Sequence, residues 1–382
     1  MHFGIGVIGA TGFIGTPYRQ EIREATADAR IIALCARRQD LLEQAGEQDN
    51  ATLITNDWRE VIHHPEVNLV LICTPDALHH EALLSCAKAG KHVFCEKPIG
   101  TNVQQAFEMY TAVEQAGLAH YVPFWSRYQR VLQQAKQILT SGRLGDIRGV
   151  VYRWHNPRPL GMPFTWRDDA ALSSAGSIAD VGSHAYDTMR WLLGAEATRV
   201  MAHADVITAA KPDLGDINLT EAIDWGASPP AEPGGKTRQA TAFDYASLAF
   251  EFATGAVGTL ILSHSPYFRK GLAPDLELHG TEASLAVNRT DSTTTFCLPD
   301  QPPEAPQKVE EPDTENRFIN YVFPALREII THGATAHPGM EDGYRVQLFT
   351  DACSRSASEK SWIELNQIDP DPAKPSNGIP GK

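Results

Sequence analysis

Ile5-Gly6-Val7-Ile8-Gly9-Ala10-Thr11-Gly12-Phe13-Ile14-Gly15 joins a short apolar run to a glycine-rich turn, and a helical pattern over residues 13–25 follows at once. Glycines at such a turn permit positive φ and let the main chain come close to a pyrophosphate. The helix that follows offers free N–H groups and the positive end of its dipole. A glycine motif alone says little. Between a strand and a helix, the spacing G-x-x-G-x-x-G points to a dinucleotide site with Gly9, Thr11, Gly12, Phe13 and Ile14 in its cradle.

The same alternation runs through the first 125 residues. Strand patterns at 30–36, 67–73, 92–95 and 119–124 are separated by helical patterns at 40–47, 58–64, 77–89 and 103–115. Residues 67–73 are nearly all apolar, as in a strand buried on both faces. Strand–helix–strand repeats of this length predict a doubly wound parallel sheet of the α/β class, with ligands at the carboxyl ends of its strands. Beyond about residue 127 the texture changes. A helix over 131–140, strands at 147–154, 198–206, 246–252, 258–263 and 276–278, and a helix over 177–193 predict an α+β domain on a mixed or largely antiparallel sheet. The expected domains are 1–125 and 126–368, with loops at 211–239 and 298–314 and a flexible tail over 369–382.

Composition narrows the function classes. The chain has 382 residues, 42% apolar and 21% charged, enough for packed cores and unlike a disordered chain. A net charge of −14 argues against nucleic-acid coating and polybasic membrane binding. No apolar run approaches the roughly 18 residues of a membrane span. No basic segment followed by a long apolar one opens the chain, so no signal peptide is expected. Six cysteines, none in a C-x-x-C pair and most inside apolar runs, read as reduced thiols of a cytoplasmic protein, without disulfide or zinc. The neighbouring pairs His63-His64 and His79-His80 point in different directions on a helix and make no natural chelate, so no metal is expected.

The second strand ends Leu34-Cys35-Ala36-Arg37-Arg38. An NAD site usually has an acid here to hold the ribose 2′-hydroxyl. Ala36 stands in that place, and guanidinium groups at Arg37 and Arg38 suit a 2′-phosphate, so NADP is preferred and NAD is the alternative. Two further strand ends carry chemistry, Cys73-Thr74-Pro75-Asp76 and Glu96-Lys97-Pro98. A partly desolvated lysine beside a cofactor can take part in proton transfer. In the second domain, Asp180 and His184 lie one helical turn apart. Asp180 either orients the imidazole, binds a substrate hydroxyl, or is a helix cap beside a satisfied histidine.

With these residues in place, the chain resembles the Gfo/Idh/MocA oxidoreductases, from the glycine turn to near Trp362. The specific marks are Ala89-Gly90-Lys91-His92-Val93 leading to Glu96-Lys97-Pro98, and Ala175-Gly176 through Asp180, Gly182, His184 and Asp187. Thr74-Pro75 with His79, Phe124 with Arg127, Trp166-Arg167, Phe252 with Gly255-Ala256-Val257-Gly258, and Glu341-Asp342-Gly343 also fit. The resemblance implies a Rossmann domain, then a domain with a large open, mostly antiparallel sheet that mediates homodimers or homotetramers. It implies reversible hydride transfer between a nicotinamide and a secondary hydroxyl of a sugar or cyclic polyol. It puts Lys97, Asp180 and His184 at the reacting carbon, with Lys97 or His184 as base. It lines the cofactor with Thr74, Pro75, His79, Glu96 and Lys97, and the substrate with Arg127, Trp166 and Arg167. Trp125, Tyr152, Trp154 and Tyr267 are further candidate pocket walls. Other readings compatible with the fold are a non-catalytic NADP sensor and a redox-assisted glycoside cleavage or epimerisation with retained cofactor. A short-chain dehydrogenase is disfavoured, because no tyrosine has a lysine four residues on.

Overall fold

The computed structural model describes residues 1–215, 217–229, 235–312, 315–333 and 337–371. In chain order the first elements are β1 (Phe3–Ile8), α1 (Gly15–Glu24), β2 (Ala29–Cys35), α2 (Gln39–Asp49), β3 (Leu53–Thr55) and α3 (Trp58–His63). Then come β4 (Leu69–Ile72), α4 (His79–Lys88), β5 (His92–Cys95), α5 (Val103–Gln115), β6 (His120–Tyr121) and α6 (Arg130–Thr140). The chain goes on through β7 (Ile147–His155), α7 (Ala170–Ser173), α8 (Val181–Leu193), β8 (Ala197–Asp205), β9 (Lys211–Pro212), α9 (Leu219–Ala227) and β10 (Thr237–Arg238). It ends with β11 (Tyr245–Phe252), β12 (Val257–Ser263), β13 (Leu276–Gly280), β14 (Ser284–Asn288), β15 (Thr293–Cys297), β16 (Gln307–Lys308), α10 (Phe323–His332), α11 (Met340–Glu359) and β17 (Ile363–Glu364).

These elements form two compact units that are interleaved along the chain, rather than divided once near residue 125. The first comprises Met1–Pro123, Asp216–Asp224 and Thr314–Tyr344; the second comprises Phe124–Gly215, Trp225–Asp313 and Arg345–Lys382.

The first unit holds a six-stranded, wholly parallel sheet in the order β3-β2-β1-β4-β5-β6. Every residue of β1 and β4 is buried, so these are the central strands. The strand order reverses between β1 and β4, which opens a crevice at their carboxyl ends. β1 must be glycine-rich because it is closely overlaid: a Cβ on Gly4 would lie 1.9 Å from the Glu66 carbonyl oxygen, and one on Gly6 2.4 Å from Val61 Cγ1. The helices begin and end on local signals. Asp57 accepts from Arg59 N at 2.9 Å to cap α3, and Asn102 accepts from Gln105 N at 2.9 Å to cap α5. Gly90, at φ 67, lets the chain leave α4. The returning segment packs Phe318 against Phe94 and Tyr18 at 5.5 and 5.4 Å, and Arg327 pairs with Asp28 at 2.6 Å.

The second unit is built on a nine-stranded sheet, β16-β15-β14-β13-β7-β12-β11-β8-β17. Only β12 with β7 is parallel among its described ladders. Along β11 and β12, buried Leu248, Phe250, Leu260 and Leu262 alternate with more exposed Ala249 and Thr259, as a sheet with one covered face requires. α8 lies against β7 and β12.

Several elements differ from expectation. The helix expected over 177–193 begins at Val181, because Gly176 at φ 57 and the bond from Ser177 N to Phe243 O (2.6 Å) keep the preceding residues in a turn. The segment 211–239, expected as a loop, carries α9 and the short β9–β10 ladder. Short, threonine-rich β15 and its neighbour β14 extend the sheet, and α11 is a 20-residue helix near the end. Of the tail, Asp369 is anchored by Arg345 at 3.1 Å, while residues 372–382 lie outside the described residues. Among the described residues no helix is long and apolar enough to cross a membrane, and all six cysteines are free.

The strand overlay is testable. Gly4→Ala is expected to lose roughly 1–3 kcal/mol in urea unfolding, since main chain must shift. Gly90→Ala, with open space around it, should lose only about 1–2 kcal/mol for its left-handed conformation. A tolerated Gly4→Ala would contradict the close packing of β1.

Candidate functional site

The glycine turn lies at the carboxyl end of β1, beside the end of β4. Gly9 has φ 86, and a Cβ there would come within 2.5 Å of the Cys73 carbonyl oxygen. A Cβ on Gly15 would meet the Gly9 carbonyl oxygen at 2.3 Å. Gly9 N and Ala10 N both donate to the Cys35 carbonyl, at 2.9 and 3.0 Å, tying the turn to the end of β2. α1 starts without a side-chain cap; Thr16 N is taken by the Gly12 carbonyl at 3.1 Å and Pro17 has no N–H, so the helix start offers fewer free donors than the sequence predicts. Thr11, Gly12 and Ile14 are half-buried, and Phe13 is exposed. At the end of β4, the Thr74 hydroxyl is buried with no protein partner. A close-approach glycine turn and an orphaned hydroxyl at the sheet's switch point fit a bound dinucleotide.

Lys97 ends β5, the neighbouring strand, and is half-buried. Its loop is held from below. Glu96 is buried and accepts from the Tyr18 hydroxyl at 2.5 Å, while its other oxygen takes Lys97 N at 3.1 Å. His79 is fully buried, with Nδ1 3.0 Å from the Pro98 carbonyl and Nε2 2.9 Å from the Thr74 carbonyl. Burial pushes its pKa down, although both carbonyls favour a proton. Through these bonds His79 and Glu96 clamp the loops bearing Thr74 and Lys97. Pro75 lies between, half-buried.

At the end of β2, Arg37 is exposed. Arg38 is half-buried and paired: Nη1 donates to Glu221 Oε1 at 2.6 Å and Nη2 to Asp40 Oδ2 at 3.3 Å.

In the second unit Asp180 stands at the N-cap position of α8, but its carboxylate does not cap the helix. Oδ1 lies 3.1 Å from Arg167 Nη1, and Oδ2 lies 3.1 Å from Nε2 of His264, a buried residue on the loop after β12. Arg158 Nη2 is 3.0 Å from His264 Nδ1. A guanidinium only donates, so Nδ1 must accept and the proton must reside on Nε2, facing Asp180. Burial, then Arg158, pushes His264 down to about 4, in keeping with a neutral ring. Arg158 and Lys211 also reach Asp168, at 3.3 and 2.7 Å. Burial alone would raise the Asp168 carboxyl, but these two cations hold it below the usual carboxylate range.

His184, four residues into α8, is half-buried and stacks on Trp154, with centroids 5.6 Å apart, and meets Phe124 edge-on at 6.4 Å. Trp154 also carries Arg289 over its ring at 3.6 Å. Gly182 lets α8 settle on β12, since a Cβ there would meet Leu262 Cδ1 at 2.8 Å.

Arg127 makes a two-pronged ion pair with fully buried Asp187, at 2.8 and 2.5 Å, which ties it to α8. Arg167 lies over the Trp166 ring at 4.6 Å and serves Asp180. Tyr152 is core, Trp125 packs on Tyr128 at 6.2 Å, and Tyr267 lines a cavity with Arg158, Lys211 and His264. Sequence reasoning missed Arg158, Lys211, Glu221 and His264. Only His264 had a local signal, as a polar residue directly after an apolar strand. Among the described residues no cluster suits a metal ion.

Comparison with known proteins matches both units to one family. The GFO/IDH/MocA model described as an oxidoreductase family with an NAD-binding Rossmann fold matches residues 3–124, and the GFO/IDH/MocA C-terminal domain matches 132–286. Levoglucosan dehydrogenase of Pseudarthrobacter phenanthrenivorans is 28% identical over 82% of this chain and 84% of its own length. Myo-inositol 2-dehydrogenase of Thermotoga maritima is 24% identical over 95% of this chain and 99% of its own. A levoglucosan dehydrogenase structure in complex with NADH and L-sorbose superposes with a TM-score of 0.79 at 24% identity, covering 96% of this chain and 100% of that one.

The buried neutral His264 has a pH consequence. The unfolded chain takes up a proton below the ordinary 6.5 and the folded chain does not until about 4. Stability is therefore lost as pH falls through this window, by roughly 3 kcal/mol in total from this group. His264→Gln should flatten that slope in denaturant melts between these limits. An unchanged slope would contradict a neutral His264.

Proposed function

The chain belongs to the GFO/IDH/MocA oxidoreductase family, and we propose that it is a nicotinamide-dependent dehydrogenase that oxidises a secondary hydroxyl of a sugar or cyclic polyol, reversibly. One observation carries this reading: a half-buried lysine, Lys97, ends the strand next to the β1–β4 crevice, with its loop clamped by Glu96 and His79. That is where a proton acceptor is needed beside a dinucleotide. The substrate class follows the named activities of the relatives, on an anhydrosugar and on cyclitols.

A nicotinamide bound in the crevice supplies the acceptor for the hydride that leaves the carbinol carbon. The hydroxyl proton goes at the same time to Lys97 or His184, leaving a ketone. Asp180 lies between Arg167 and the His264 Nε2, and its carboxylate accepts a hydrogen bond from a substrate hydroxyl. His184, fixed against Trp154, presents an imidazole whose aromatic support also suits the apolar face of a ring. The more exposed face of the nine-stranded sheet, with Ala249, Val257 and Thr259, supports a homodimer or homotetramer built across it.

Lys97→Met is expected to lower kcat by roughly 10²–10⁴-fold, with nucleotide affinity held within about threefold. Asp180→Asn should lower kcat/KM similarly in order of magnitude and leave nucleotide binding unchanged. Turnover by Lys97→Met within tenfold of the parent, measured as nicotinamide reduction, would remove Lys97 from the chemistry.

A further inference from the structure

The end of β2 lacks the acid that holds an adenosine ribose, yet an acid is present there. It arrives from a segment 183 residues downstream of Arg38. Residues of this segment, Asp216–Asp224, belong to the first compact unit although they interrupt the sequence of the second. Glu221 Oε1 accepts from Arg38 Nη1 at 2.6 Å. Its other oxygen, Oε2, accepts from Asn218 N at 3.0 Å, while Asn218 Oδ1 accepts from Glu221 N at 2.9 Å. This reciprocal capping box at the start of α9 fixes the direction of the carboxylate. Asn218 and Glu221 thus form a built, not an incidental, partner for Arg38.

The pair does little for stability. Both side chains are about a third exposed, at 33% and 38%, and such bridges contribute well under about 1 kcal/mol in most cases. Its consequence is electrostatic. Arg38 is one of the two guanidinium groups at the end of β2 suited to a 2′-phosphate, and it already carries two carboxylates, Glu221 and Asp40. A 2′-phosphate would have to displace them or sit beside them as a like charge. A 2′-hydroxyl would find a carboxylate acceptor.

We propose that Glu221 replaces the acid missing from β2 and selects a dinucleotide with a free 2′-hydroxyl over its 2′-phosphorylated form. The preference for NADP drawn from Arg37 and Arg38 alone is thereby reversed. The inference rests on the dinucleotide-binding part of the function proposed above and extends it to which dinucleotide is held.

The test is equilibrium titration of the full chain with NADH and with NADPH, followed by nucleotide fluorescence, for the parent, Glu221→Gln, and Glu221→Gln combined with Arg38→Ala. The parent should bind NADH at least roughly tenfold more tightly than NADPH. Glu221→Gln should gain roughly tenfold for NADPH and weaken several-fold for NADH, because Arg38 is released. The double variant should lose the NADPH gain, which separates the role of Arg38 from any general loosening of α9. A parent preferring NADPH, or an NADH/NADPH ratio unmoved by Glu221→Gln, overturns the inference while leaving the dehydrogenase reading intact. A parent that binds neither nucleotide overturns both, and is recognised by the parent alone.

Discussion

The approach of main chain to main chain at Gly9 is the constraint from which the first unit's chemistry follows. The Cys73 carbonyl oxygen lies 2.5 Å from where a Cβ on Gly9 would be, and the Cys35 carbonyl takes the Gly9 and Ala10 N–H groups. The ends of β2, β1 and β4 are therefore locked to one another by backbone atoms, with no side chain between them. From the end of β4 the linkage continues through the His79 ring, which joins the Thr74 and Pro98 carbonyls, to the loop carrying Lys97. The crevice at the ends of β1 and β4 and the Lys97 loop are thus joined through backbone carbonyls and one buried imidazole. Preorganisation of this kind is what places a proton acceptor within reach of a reacting hydroxyl.

The second unit uses buried charge instead. Arg158, His264, Asp180 and Arg167 follow one another at about hydrogen-bond distance, and Asp168 with Lys211 balances the other end. Burying charges is costly unless each finds a partner. Here the partners also decide protonation: Arg158 obliges His264 to accept on Nδ1, which turns Nε2–H toward Asp180. Arg127 and Asp187 do comparable work for α8, which carries His184.

Local pattern made much of this legible. The alternating apolar runs specify the six-stranded sheet, because a parallel sheet covered on both faces leaves continuous apolar strands such as Leu69–Ile72. Gly9, Lys97, Asp180 and His184 stand out because turn chemistry and strand ends are written in neighbouring residues. What escaped was set by distant partners. Nothing near Arg38 announces Glu221, nothing near Asp180 announces Arg158, and nothing near Arg127 announces its pairing with Asp187. The α9 helix was hidden inside a segment rich in Pro and Gly, and β15 in a short threonine-rich run. In each case tertiary pairing, rather than periodicity, decides the outcome.

The most direct test of the account is to mix the purified chain with oxidised nicotinamide dinucleotide and a panel of sugars, anhydrosugars and cyclitols, and to measure reduced nicotinamide together with ketone. The account predicts that at least one member gives both, in equal amounts, and that deuterium at the carbinol carbon slows the reaction. Dinucleotide binding with no reduction by any member, or a sugar transformed with no net reduced nicotinamide, would contradict it.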